Sequence, residues 1–230
     1  MNQITTNGTR PGVPKKWIAI GSVIAVVLLI VIFAVSTYNG CFSAEQNVDE
    51  KWGNVQTQYQ RRKDLIPNLE RAVKAYMEYE GKTMTNITEA RTGQLKDLEA
   101  KKRAAEKAQK AADAADLPEG EAPATEEDIQ YYADAQAKAQ RALDIYVNAV
   151  HEAYPDLKTS QQFSDFNVVL EGTENRIQTA RQDYNAAVKE YNLKRGRFPA
   201  VIFSGMLGFQ KKPMYRADAD ASQAPETFQQ

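Results

Sequence analysis

Residues 160–193 read SQQFSDFNVVLEGTENRIQTARQDYNAAVKEYNL, and this stretch decides the fold. Phe163, Phe166, Leu170, Thr173, Ile177, Ala180, Tyr184, Val188 and Tyr191 recur every three or four residues, the spacing of one face of an α-helix. The opposite face carries Glu174, Arg176, Gln178, Arg181, Lys189 and Glu190. One side therefore needs burial and the other needs water. Thr159 or Ser160 can cap the start of such a helix, and Lys194-Arg195-Gly196-Arg197 ends it.

Working outward, three more segments follow the same rule. Thr125 and Asp128 resemble a capping box ahead of a stripe of Tyr132, Ala135, Ala139, Leu143, Tyr146, Val150 and Ala153, which ends before Pro155. A second stripe runs through Leu65, Leu69, Val73, Tyr76, Glu80, Met84, Ile87, Arg91, Leu95 and Leu98, weakened at Gly81 and Gly93. The first stripe is Val48, Trp52, Val55 and Tyr59. Between the first two helices Arg61-Arg62-Lys63 suits a helix end, Asp64 can cap, and Pro67 falls in a first turn, which predicts a tight turn or sharp kink at 62–67. No stretch alternates with a period of two. The expected fold is all-α: an antiparallel four-helix bundle, its second and third helices forming a long coiled-coil-like hairpin. At 1.5 Å per residue, a single helix over 65–113 would reach roughly 70 Å, so it either extends beyond the first helix or bends at the glycines. Residues 114–125 gather acidic side chains around Pro118, Gly120 and Pro123, and read as a solvated loop at the tip of that hairpin.

Ahead of the bundle, Trp17 to Tyr38 holds no charged residue, about the length needed to cross a hydrocarbon core of roughly 30 Å. Trp17 and Tyr38 stand at its ends, where aromatic rings prefer the headgroup level. Arg10, Lys15 and Lys16 precede it with no acidic residue, so the positive-inside bias predicts a short cytoplasmic tail over 1–16, a membrane helix over 17–38 and an extracytoplasmic bundle over 39–210. A cleaved signal peptide competes, because Ala34-Val35-Ser36 loosely resembles a cleavage site, although the apolar run exceeds a signal core. Lipidation of Cys41 competes too, although Tyr38-Asn39-Gly40 makes a poor lipobox. The 230-residue chain carries 29 basic and 30 acidic residues; three basic residues precede the span, leaving 26 against 30 beyond it, about −4.

After the bundle, 198–209 is apolar with small breakers. It is too short to span a bilayer as a helix but long enough to lie in its interface or to cap the bundle's base. Lys194, Arg195, Arg197, Phe198, Ile202 and Phe203 are the candidate membrane contacts. Residues 211–230 read as a disordered polar tail.

Tyr38-Asn39, Trp52, the string Val55 to Leu69 with its RRKDLIPNL core, Val73-Lys74-Ala75-Tyr76, Glu80 and Ala90-Arg91 together resemble the LemA family of bacterial membrane proteins. So do Tyr154-Pro155-Asp156-Leu157-Lys158, Phe163, Leu170, Glu171 to Ile177, Ala180-Arg181, Tyr184-Asn185, Val188, Tyr191-Asn192, Phe198-Pro199 and Gly208-Phe209. The resemblance spans about 30–215, with a longer and more acidic stretch at about 99–130 than is usual. It implies a short tail, one membrane helix and an antiparallel helical bundle in the bacterial cell membrane, with no assigned activity, cofactor or ligand.

Chemistry is poorly supplied. One Cys and one His exclude an internal disulfide and a Cys/His zinc site. Near-neutral charge argues against nucleic-acid binding, and no phosphate loop, nucleophile elbow or HExxH string occurs. His151 reads as a solvated helix-end residue. The acidic loop lacks the ligand pattern of a calcium site. Asn86-Ile87-Thr88 matches a glycosylation acceptor but lies on a helix of a bacterial-type protein. No catalytic residue, metal or cofactor is expected. Arg61, Arg62, Asp64, Leu65, Ile66, Pro67, Asn68 and Leu69 either recognise an envelope protein or simply close the turn and pack, the latter being favoured. The remaining functions are an envelope scaffold acting through helix contacts, with self-association at Tyr131-Tyr132 near the distal tip, or a binding module for lipid or an exported ligand.

Overall fold

The computed structural model describes residues 15–81, 89–115 and 121–216, and no strand occurs among them. The helices are α1 (Lys15–Lys63), α2 (Leu65–Gly81), α3 (Glu89–Ala114), α4 (Glu126–Ala153), α5 (Gln161–Gly196) and α6 (Ala200–Met206), with a 3-10 turn at Pro155–Thr159 before α5. The all-α bundle is as expected. Arg10, Met84, the Asn86-Ile87-Thr88 triplet, Pro118, Gly120 and the tail from 217 onward lie outside the described residues, as do the side chains of Glu80, Arg91 and Thr159.

α1 is 49 residues long and has two halves. From Ile18 to Ile32 its large apolar side chains are 50–66% exposed. By length and composition this part can cross a membrane. From Thr37 onward a stripe of Cys41, Ala44, Val48, Trp52, Val55 and Tyr59 is buried, largely against α5. Cys41 is thus a buried mid-helix thiol, pushed up in pKa by that burial, and does not fit the lipid-anchor reading.

Of the two possibilities at 62–67, the kink is the one formed. The Asp64 N–H donates to the Gln60 carbonyl at 3.2 Å, so a nearly continuous rod runs from Lys16 to Glu78. Pro67 supplies no N–H for the Lys63 carbonyl and its ring crowds that carbonyl, which accounts for the break at Asp64 between α1 and α2; the chain does not reverse there.

The reversal comes later. Lys102 Nζ lies 2.8 Å from Glu70 Oε2, and Val73 and Met77 face Leu95 and Leu98, so α3 runs antiparallel to α2. It descends until Asp113 Oδ2 meets Lys63 Nζ at 2.8 Å. Of the two expectations for 65–113, a straight rod is not formed; α2 ends at Gly81, one of the two glycines expected to bend it, and α3 runs back. Folding the segment in two buries Leu65, Leu69, Val73 and Leu98 in one distal core with Leu143, Tyr146, Val150, Leu157 and Phe163. An extended rod would leave half of those side chains in water.

α3 and α4 do pack as a long hairpin. Because α3 runs downward, their connection lies at the proximal end, where the Ala122 N–H donates to Asp49 Oδ1 at 3.2 Å, and not at a distal tip. Ala122 and Pro123 are buried there. The capping box is present: the Asp128 N–H donates to Thr125 Oγ1 and the Thr125 N–H to Asp128 Oδ2, both at 3.1 Å. Tyr132 is fully buried in the proximal core; Tyr131 beside it is 66% exposed. The aromatic pair is therefore split between core and surface, and it sits at the level of Trp52.

α5, capped by Ser160 at the Phe163 N–H, returns beside α1. α6 then packs at its foot, and residues 209–216 climb back up α5 as an extended strap. Pro213 and Tyr215 are buried, so 211–216 do not belong to a disordered tail.

Candidate functional site

The strap is held by a sequence device. Asn185 and Asn192 are seven residues apart on α5, about 10.5 Å along the axis, and three extended residues cover about 10 Å. The two Asn side chains therefore meet strap residues three apart. Asn185 Nδ2 donates to the Tyr215 carbonyl at 3.0 Å while its Oδ1 accepts the Tyr215 N–H at 2.8 Å. Asn192 does the same for Lys212, at 2.9 and 3.1 Å. Each primary amide satisfies both backbone groups of one strap residue, as a neighbouring strand would. Tyr184 and Tyr191 add hydroxyl donors to the Pro213 and Gln210 carbonyls at 3.0 and 2.8 Å. The signal in the sequence was the Tyr-Asn pair repeated after seven residues, which reads as ordinary helix surface until the strap is seen.

Strap closure delivers Tyr215 into the proximal core. Its ring stacks on Trp52 at 6.0 Å and meets Tyr184 edge-on at the same distance. Trp52 also meets Tyr132 at 4.9 Å and Tyr184 at 5.3 Å. Burial pushes the Tyr184 and Tyr215 phenols well up and that of Tyr191 to about 12, so all three rings pack as neutral phenols. Replacing Asn185 and Asn192 together with Ala removes four hydrogen bonds and leaves the N–H and C=O of two strap residues without these partners, a cost of about 4 kcal/mol. Limited proteolysis should then cut within 210–216 while the helices stay protected; an unchanged cleavage pattern would contradict the clamp.

The 61–69 motif separates into two faces. Arg61, Asp64 and Pro67 are exposed and Asn68 is half-exposed, with its Oδ1 accepting from Arg71. Leu65, Ile66 and Leu69 are core residues. Arg62 is the unexpected member: the guanidinium is buried, 2% exposed. It donates to the Gln136 carbonyl at 3.0 Å, to Gln136 Oε1 at 2.6 Å and to Gln140 Oε1 at 3.1 Å, all on α4, and lies over the Tyr59 ring at 4.8 Å. Arg181 of α5 donates to Tyr59 Oη at 2.8 Å and covers the Tyr215 ring at 4.9 Å. Burial lowers the Arg62 pKa and raises that of Glu174, whose carboxylate feels the opposing pull of Arg62. Arg62 thus ties α1 to α4 at the break between α1 and α2, and its hydrogen-bond partners are this chain's own residues.

The second group lies at the base. Lys194 pairs with Glu190 at 2.8 Å, and Arg195 Nε donates to the Phe209 carbonyl at 2.8 Å. Arg197, Phe198 and Ile202 are exposed, while Phe203 turns inward, its ring 5.7 Å from that of Phe33. Cap and surface are therefore combined in one segment: its inner side closes the base and its outer side remains apolar and open.

A third feature is an open groove of about 380 Å³ between α2, α3 and α4, walled by Val73, Met77, Leu95, Leu98 and Tyr146 and rimmed by Glu70, Lys74 and Lys102. Side-chain hydrogen bonds from Lys102 and Lys74 hold the Glu70 carboxyl down at about 2. Among the described residues no group of three or more His, Cys, Asp or Glu side chains is arranged to hold a metal. His151 packs edge-on to Phe163 at 4.6 Å.

A family model described as the LemA family matches residues 51–228. Two proteins of Paramagnetospirillum magneticum, magnetosome proteins MamQ 1 and MamQ 2, are each 32% identical over 77 residues, 34% of this chain and 28% of theirs. The match thus spans little more than a quarter of those relatives.

Proposed function

The chain belongs to the LemA family, and from that premise we propose that it is a non-enzymatic, membrane-anchored scaffold of the bacterial cell envelope that works through helix-to-helix contacts. The observation that carries this reading is the division of α1. The same rod is bare and apolar from Ile18 to Ile32 and becomes the central core helix from Thr37 onward, so span and bundle are one rigid piece. In the proposed placement Arg10, Lys15 and Lys16 keep the N-terminus in the cytoplasm of the inner membrane and the bundle stands outside. Protease added to intact spheroplasts should then degrade the bundle; full protection would reverse the orientation.

The contact surfaces for partners, including a second copy, are the outer sides of α4 and of α5. Tyr131 and Ile145 are 66% and 55% exposed and lie 14 residues apart, close to four turns, on one side of α4. Val168 and Val169 of α5 are 67% and 48% exposed. Photo-crosslinkers at Tyr131 and Ile145 in native membranes should give discrete adducts, homodimeric ones if the chain self-associates. Monomers alone would sink the scaffold reading. The groove between α2, α3 and α4 favours a second reading, capture of a lipid or another exported apolar ligand, which added acyl compounds would reveal as a raised unfolding temperature.

A further inference from the structure

The run from Phe198 to Gln210 contains no charged residue, and basic residues flank it on both sides. Because the strap retraces α5 in the opposite direction, the flanks are brought to one end of the bundle, with Lys194, Arg195 and Arg197 on the descending limb and Lys211 and Lys212 on the ascending one. The apolar hairpin hangs below this basic collar. Its inner side is fixed: Ser204 Oγ donates to the Arg195 carbonyl at 3.0 Å, and the Phe209 N–H donates to the Ser204 carbonyl at the same distance. Its outer side is bare, with Phe198 and Met206 each 82% exposed and Ile202 53%.

The height of this hairpin is set by α1. Phe209 packs against Tyr38, the outer aromatic end of the span, at 5.6 Å. Phe203 packs against Phe33, five residues deeper, which is about 7.5 Å further along the helix. A bilayer that covers α1 up to Tyr38 must therefore also cover α6. In water the outer side of α6 would extend an already large apolar patch; in lipid it meets acyl chains.

We propose that residues 198–209 form a second membrane contact, a short hairpin embedded in one leaflet beside the α1 span. The exposed Arg197 and Lys211 then sit at the level of phospholipid headgroups. The occupant of this face is the bilayer itself. Lys212 does not contribute a free charge to that level, since its Nζ lies 3.2 Å from Glu45 and 3.9 Å from Asp49, and Lys194 is paired with Glu190. Two attachments at unequal depth limit the tilt of the bundle on the membrane, which a lone span leaves free. The proposal rests on the reading of α1 as a membrane anchor.

The test uses the full chain in vesicles of phosphatidylethanolamine and phosphatidylglycerol. In a Cys41→Ala background, single spin labels are placed through Phe198→Cys, Ile202→Cys or Met206→Cys, all surface positions whose replacement leaves the core intact. Val27→Cys in the span and Asp183→Cys on the outer side of α5 serve as references. Collision with oxygen and with a water-soluble nickel chelate reports depth. Labels at 198, 202 and 206 should resemble the one at 27: open to oxygen, shielded from nickel. If they resemble the label at 183 while 27 stays lipid-like, the embedded hairpin is wrong and the anchor stands. If 27 is aqueous as well, the anchor reading itself fails.

Discussion

Trp52→Ala should lower the unfolding free energy of the full chain by about 4 kcal/mol, the range for deleting a fully buried large aromatic side chain. Trp52 is wholly inaccessible and is the shared neighbour of Tyr132 on α4, Tyr184 on α5 and Tyr215 on the strap. Its removal leaves three rings from three elements facing an empty volume, and none can move without dragging its own backbone. The strap should respond first, because its ordering depends on Tyr215 having a ring to stack on. Partial unfolding in detergent, followed by far-ultraviolet circular dichroism and by proteolysis of 209–216, separates strap release from global loss. Trp52→Phe is a sharper probe. Trp52 Nε1 has no hydrogen-bond partner among the described residues, so Phe sacrifices area but no bond. Its cost, the transfer and cavity terms of the lost ring alone, should stay at about half that of Ala, about 2 kcal/mol. If Phe proved as damaging as Ala, an unseen partner for the indole N–H would have to be invoked and the packing account abandoned.

The long apolar periodicities were legible because they report burial directly. The stripes of Val48 to Tyr59 and Ile177 to Tyr191 became the faces along which α1 and α5 meet, while Phe163 and Phe166 carry the α5 stripe on into the distal core. Two features were not legible, for different physical reasons. The reversal between α2 and α3 left little trace in periodicity, since the step of three to four residues continues through Glu80 and Arg91. Those two polar members were the warning: a stripe that loses its apolar character near Gly81 no longer demands burial as one surface. The strap was hidden by the opposite problem. Its backbone groups are satisfied by Asn185 and Asn192, so 210–216 needs no strand pattern of its own and reads as polar tail. The base was legible as an alternative between cap and membrane surface; Phe203 packs on Phe33 while Phe198 is exposed, so one short segment has a packed side and an open side.

Arg62→Leu is the second large effect, expected to cost about 3 kcal/mol at neutral pH, because it strips a buried polar cluster of its donor while leaving the acceptors in place. Gln136 and Gln140 would each lose the guanidinium partner, and Tyr59 would keep only Arg181. Arg62→Lys should recover little of this. An ammonium on a flexible stem cannot reproduce the planar fork that spans Gln136 and Gln140 while lying on Tyr59. The pH dependence distinguishes a lost charge from lost packing. Burial holds the Glu174 carboxyl above the ordinary range, and the Arg62 charge opposes that rise. Without Arg62 the carboxyl rises further. A carboxylic acid with a folded pKa above its unfolded one binds more protons in the folded state, so the stability it removes grows as pH increases through the window above the ordinary carboxylate range. The penalty of Arg62→Leu relative to the parent should therefore be smaller at about pH 5 than at about pH 7.5. A penalty independent of pH over that interval would mean that Glu174 does not sense Arg62, and that the residue acts through packing and hydrogen bonds alone. In either case Arg62 joins α1 to α4 beside the break at Asp64, and the exposed residues Arg61, Asp64 and Pro67 are what the string leaves for any partner to touch.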